Sequence, residues 1–218
     1  MKQKTLFILS AVILLLIFAG ATLFYTSDKQ EQATEAVALN QANLVRMHSP
    51  TLGSAEAKVL IVEFFDPACE TCRAFYPFIK ELMAAHPDRV RLAMRYTPFH
   101  EGSDHAVKVL EAARRQGKYW ETLEALYAAQ ETWVIHHRVE PDRMWDALSG
   151  VGLDMERVRQ DMNAPEIAAL VAQDMADAET LKVTKTPEFF VNGRPMPSFG
   201  YEQLQTLVEE AVANNYPN

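Results

Sequence analysis

Two cysteines, Cys69 and Cys72, are the only thiols in this 218-residue chain, and they are separated by two residues as Cys69-Glu70-Thr71-Cys72. That spacing lets the sulfurs meet and supports reversible disulfide chemistry. At the first turn of a helix, unpaired backbone N–H groups and the helix dipole stabilise a thiolate. Cys69, at that start, reads as the exposed nucleophile that forms a mixed disulfide, and Cys72, one turn later and more buried, as the thiol that resolves it. Three other uses compete. Zinc needs four ligands, and His100 and His105, spaced by four residues, formally complete such a set. A structural bridge closing so small a ring constrains little unfolded-chain entropy. Two thiolates also suit a soft ion such as Cu(I), which describes an envelope-anchored metal-binding or adaptor module.

The elements around the pair favour redox chemistry. Lys58 to Phe65 is a nearly continuous apolar, β-branched run, as expected of a central strand. A helix is predicted from Cys69 to about Ala85, because Phe75, Phe78, Ile79 and Leu82 recur at helical spacing, with a kink at Pro77. Val90 to Tyr96 alternates apolar residues with Arg and reads as the next strand of a right-handed β-α-β unit, and Leu44 to Met47 as a short first strand. Residues 100–182 turn helical, with breaks predicted at Gly117, near Pro141, at Gly150-Val151-Gly152 and before Pro165. Thr186 to Asn192 returns to strand, Asn192-Gly193 marks a turn, and Tyr201 to Asn214 closes with an amphipathic helix. No repeat or low-complexity segment is present.

Leu6 to Tyr25 is an uncharged apolar run of 20 residues, enough to cross a ~30 Å hydrocarbon core as a helix. Lys2 and Lys4 precede it and Asp28, Glu31 and Glu35 follow, so the positive-inside bias puts the remainder outside the cytoplasm. Residues 1–25 therefore read as a membrane anchor, with a cleaved signal peptide as the alternative because Ala19-Gly20-Ala21 resembles a cleavage site. Both export the domain to the cell envelope, facing the periplasm, where disulfides persist. Residues 26–43 are polar, without Gly or Pro, and suit a stalk. A net charge of -8 and the absence of a basic stripe argue against a nucleic-acid partner.

Two motifs carry a family resemblance. Val59 through Cys72 resembles the active-site strand and helix start of the DsbA family of bacterial thiol:disulfide oxidoreductases, and Thr186-Pro187-Glu188-Phe189-Phe190-Val191-Asn192-Gly193-Arg194 resembles the family segment in which a cis-proline opens the third core strand and faces the cysteines. The resemblance covers residues 44–216 and implies an α/β thioredoxin-like fold with a helical insertion at about 100–182. It implies Cys69 as nucleophile, Cys72 as resolving thiol, Pro187 as the cis-proline and Thr186 as a backbone contact for substrate. By itself Pro187 reads as an ordinary trans proline, the state of ~95% of X-Pro bonds. Glu63 matches the buried acid that the family holds beneath its disulfide. Burial should raise its pKa and fit it to accept the Cys72 proton; the competing reading is an edge-facing Glu paired with a lysine. His100, His105, His136 and His137 have no counterpart and read as surface or insertion residues.

Glu70-Thr71 departs from the Pro-His dipeptide of DsbA. A histidine there assists the thiolate, whereas Glu70 is a like charge that opposes it, which predicts a less oxidising pair. The implied activity is dithiol–disulfide exchange with exported proteins, as an oxidase or as a reductase or isomerase, in concert with a membrane redox partner. No bound cofactor is needed.

Overall fold

In the computed structural model, residues 43–217 are described, together with Leu14 and Phe18, which are helical and exposed. The chain divides into two units, Met1–Asn40 and Gln41–Asn218. The apolar run at 6–25, apart from those two residues, and the stalk before Asn43 lie outside the described residues. Among the described residues no helix is long and apolar enough to cross a membrane.

The second unit is built on a five-stranded sheet. Its strands are β1 (Thr51–Leu52), β2 (Val59–Phe65), β3 (Val90–Tyr96), β6 (Glu188–Val191) and β7 (Arg194–Pro195), in the order β1-β3-β2-β6-β7. β2 lies at the centre, parallel to β3 and antiparallel to β6. Six of its seven residues are buried, which is why its sequence is apolar almost throughout. Side chains alternate between the sheet faces. Val59, Ile61 and Phe65 join a large core with the cysteines, Phe75 and Ile79, while Val62 and Phe64 pack with Leu44, Ala93, Ala178, Val183 and Phe190. Glu63 falls in the first series, on the cysteine side.

Helix α1 (Glu70–Ala85) follows β2 and buries Cys72, Phe75, Tyr76, Ile79 and Leu82. Pro77 stays inside this helix and removes one N–H from its ladder. Between β3 and β6 lie α2 (Ser103–Arg114), α3 (Tyr119–Ala128), α4 (Gln130–Trp133), α5 (Pro141–Ala147), α6 (Met155–Asp161) and α7 (Pro165–Thr180). Their breaks fall at Gly117, before Pro141, at Gly150 to Gly152 and before Pro165. Asn192 and Gly193, both at positive φ, join β6 to β7, and α8 (Tyr201–Asn215) packs on β2.

Two expectations need correction. Residues 44–47 form no strand. The Asn43 and Leu44 carbonyls accept hydrogen bonds from Arg95 Nη1 (2.6 and 2.8 Å) in place of a strand partner, and the short antiparallel edge begins only at Thr51. The insertion also holds a small hairpin, β4 (Val134–Ile135) with β5 (Arg138–Val139), turned by His136 and His137 at positive φ. Histidine pairs are not a recognised turn signal, so nothing in the sequence announced it.

Candidate active site

Helix α1 starts where β2 has delivered the chain to the end of the sheet. Cys69 is its N-cap, with extended backbone (φ -77°, ψ 119°), and its carbonyl accepts from Arg73 N–H (3.1 Å). Both cysteines are free thiols. The Cys69 thiol is lowered to about 6, first by a hydrogen bond from Cys72, then, against the cost of burial, by the Thr186 side chain and the Cys72 and Thr71 N–H groups. Cys72 is driven well above its ordinary value by burial, with the adjoining Cys69 and Glu63 adding to it. The helix thus holds one thiol poised as thiolate beside one held protonated.

Cys69 is less open than the sequence suggested, at 6% exposure against 0% for Cys72. On one side its Sγ meets the Thr186 carbonyl, donating at 3.4 Å. The Thr186–Pro187 peptide bond is cis, and the segment leads into β6, where Phe189 sits opposite Glu63 of β2. The two sequence motifs, more than a hundred residues apart, therefore meet at Cys69.

Glu63 is fully buried, and neither carboxylate oxygen has a hydrogen-bond partner. Burial pushes its pKa well up, Cys69 adds to this, and the Cys72 thiol pulls back only in part. The alternative of an edge-facing, lysine-paired Glu63 is excluded, because β2 is flanked on both sides.

Several residues at the site were not anticipated. Asp66, fully buried, accepts at Oδ1 from Ala68 N–H (2.8 Å) and the Ser103 hydroxyl, and at Oδ2 from His100 N–H (2.8 Å), with His100 Nδ1 at 2.7 Å from the same oxygen. Its own carbonyl accepts from Cys69 N–H (3.0 Å). His100, read as a surface or insertion residue, is therefore also a partner of the loop that presents Cys69. Asp-Pro-Ala before a cysteine is a recognisable Asx-turn signal; its histidine partner is not. Gln130 of the insertion donates through Nε2 to the Pro67 carbonyl (2.9 Å) and the Cys69 carbonyl (3.2 Å), and no local spacing pointed to it. His137 Nδ1 lies 3.9 Å from the Glu70 carboxylate, whose side chain is 56% exposed. The Cys69 thiol is set mainly by Cys72, burial, Thr186 and the Cys72 and Thr71 N–H groups. His105 packs on Trp145, and among the described residues no group of three or more His, Cys, Asp or Glu is arranged for a metal ion.

A thioredoxin family profile matches residues 45–210. The chain belongs to the thioredoxin family. The solved structure of a thioredoxin-like oxidoreductase from Silicibacter pomeroyi DSS-3 is 38% identical, covers 76% of this chain and 93% of its own, and superposes with a TM-score of 0.67. The thiol-disulfide exchange protein alpha-DsbA2 from Wolbachia pipientis shares the fold at 19% identity, with a TM-score of 0.68 over 84% of this chain and 97% of its own. Among curated proteins, the Na(+)/H(+) antiporter NhaA of Herminiimonas arsenicoxydans is 30% identical over 159 residues, covering 73% of this chain. The chain spans about a quarter of the length of such antiporter relatives, so the likeness concerns one segment of them.

Proposed function

We propose that this protein carries out thiol:disulfide exchange on exported proteins, with Cys69 attacking and Cys72 resolving. The observation that carries the reading is the divergence of the two thiols within one helical turn, Cys69 drawn down to about 6 and Cys72 driven up. In the reducing direction, the Cys69 thiolate attacks one sulfur of a substrate disulfide. The substrate S–S bond breaks, a mixed disulfide forms, and the departing thiolate takes a proton from solvent. Cys72 then yields its proton to the Glu63 carboxylate and attacks Cys69 Sγ. The mixed disulfide breaks, the second substrate thiolate leaves, and two electrons have passed from the cysteine pair to the substrate. Oxidation of a substrate dithiol is the same sequence reversed. The Thr186 carbonyl, beside Cys69 Sγ, is suited to pair with an extended substrate backbone, and Pro187 to border it.

The Leu6–Tyr25 run supports an envelope-facing domain on an inner-membrane anchor, or a secreted one if the run is cleaved. A membrane redox partner would restore the pair after each turnover. A Cys69 value of about 6 lies between about 7 for thioredoxin and about 3.5 for DsbA. The potential should accordingly fall between about -270 and about -120 mV. Equilibrating the protein with glutathione buffers and counting free thiols tests both points. An intermediate potential supports the reading; a pair that never interconverts with glutathione contradicts it.

A further inference from the structure

Buried polar atoms are nearly always hydrogen-bonded, so a cluster that is not calls for a reason. Among the described residues, Glu63 Oε1 and Oε2, the Tyr127 hydroxyl and Gln130 Oε1 are buried without a partner. All four belong to residues gathered about the cysteines. Gln130 is tied to the Cys69 carbonyl through Nε2, and Tyr127, at the end of α3, precedes it by three residues. Tyr76, four residues after Cys72 and so on the same side of α1, meets the Tyr127 ring at 5.6 Å between centroids. Its hydroxyl donates to Glu124 Oε1 (3.1 Å), which also accepts from Lys80 (2.7 Å). The Glu124 side chain is 46% exposed. The row runs from buried Cys72 and Glu63, past two tyrosines, to a carboxylate in solvent.

We propose that Tyr127 and Tyr76 relay protons between Glu63 and solvent at Glu124, with internal water bridging the unpaired oxygens. This deepens the exchange reading above and rests on it. A carboxyl that takes the Cys72 proton in a closed core must lose it again before the next cycle. Each hydroxyl accepts a proton on one side and releases its own on the other, so nothing is consumed. Burial, with Cys72 and Glu63 close by, keeps the Tyr127 hydroxyl protonated, as a relay requires. Tyr127 acts through Glu63 and is in that sense a positioning residue. The titratable groups about Tyr127 include Glu63, Cys69, Cys72, Tyr119 and Tyr76, and those about Tyr76 include Glu63, Glu124, Tyr127 and Lys80, whose Nζ stands 5.5 Å from its ring centroid. The Tyr119 hydroxyl is taken up with Tyr96. The insertion, on this account, supplies part of the proton chemistry.

The test follows the reduced protein with dithiobis(nitrobenzoate), which releases one chromophore as Cys69 attacks and a second as Cys72 displaces the first adduct. Tyr127→Phe should leave the first phase and the thermal midpoint nearly unchanged, because the hydroxyl makes no direct hydrogen bond to another protein group, and should slow the second phase by about tenfold. The pH–rate profile of the second phase should flatten in parallel. Combining it with Glu63→Gln should cost no more than Glu63→Gln alone, since both interrupt one path. A second phase as fast as the parent's, or a loss of stability with both phases slowed, overturns the relay. A parent that shows no second phase instead removes the exchange reading itself.

Discussion

At the N-terminus of α1, Cys69 is stabilised as thiolate by Cys72, Thr186 and two backbone N–H groups in spite of its burial. Its alkylation rate should therefore rise through a midpoint of about pH 6, far below an ordinary thiol, with Cys72 modified much more slowly. A midpoint above pH 8, or equal rates for the two thiols, would count against this arrangement. Because the folded value is depressed from 9.0, the thiolate favours the reduced fold fully above that pH, and the contribution is lost as pH falls through about 6. Glu63 has the opposite sign. Its raised value means that the unfolded chain gives up the proton first, so this group costs stability as pH rises above 4.5. Glu63→Gln should raise the thermal midpoint at neutral pH while slowing exchange by about tenfold or more. If exchange keeps its parental rate and pH profile, the carboxyl has no part in proton transfer.

At the scale of elements, the strand and helix flanking the cysteines were legible because their apolar spacing is local. The alternation of Val90 to Tyr96 marks a strand but does not tell where Arg95 lies. Arg95 is fully buried, bonded through Nε to Asp174 (2.9 Å) and through Nη2 to Asp177 (2.5 Å). These carboxylates sit three residues apart on α7, and Asp177 also takes Arg46 (2.6 Å). The network fixes α7 and the 43–48 segment against β3, and it depends on partners about eighty residues apart that no spacing rule connects. Asp174→Ala should lower unfolding stability by about 3–5 kcal/mol, because it strips one partner from a buried charge. Urea denaturation measures this; a change under 1 kcal/mol would mean that the pair offsets little of its own burial.

At the scale of the whole molecule, the order of elements could be read from sequence, whereas the meeting of distant parts could not. The family resemblance brought Pro187 to the cysteines in advance, but Gln130, Tyr127 and His100 reach the site from the insertion and its approach through the fold alone. The N-terminal run gives the molecule its proposed address. Intact protein should remain with membranes through alkaline washing, and protease added outside should digest the domain. A soluble mature chain beginning near Thr22 would show instead that the run is cleaved. The central claim, that Cys69 attacks and Cys72 releases, is tested most directly by trapping. In an oxidising envelope Cys72→Ser should accumulate covalent complexes with exported proteins that vanish on adding reductant, while Cys69→Ser traps few. Equal trapping by the two variants, or none by either, would contradict the account.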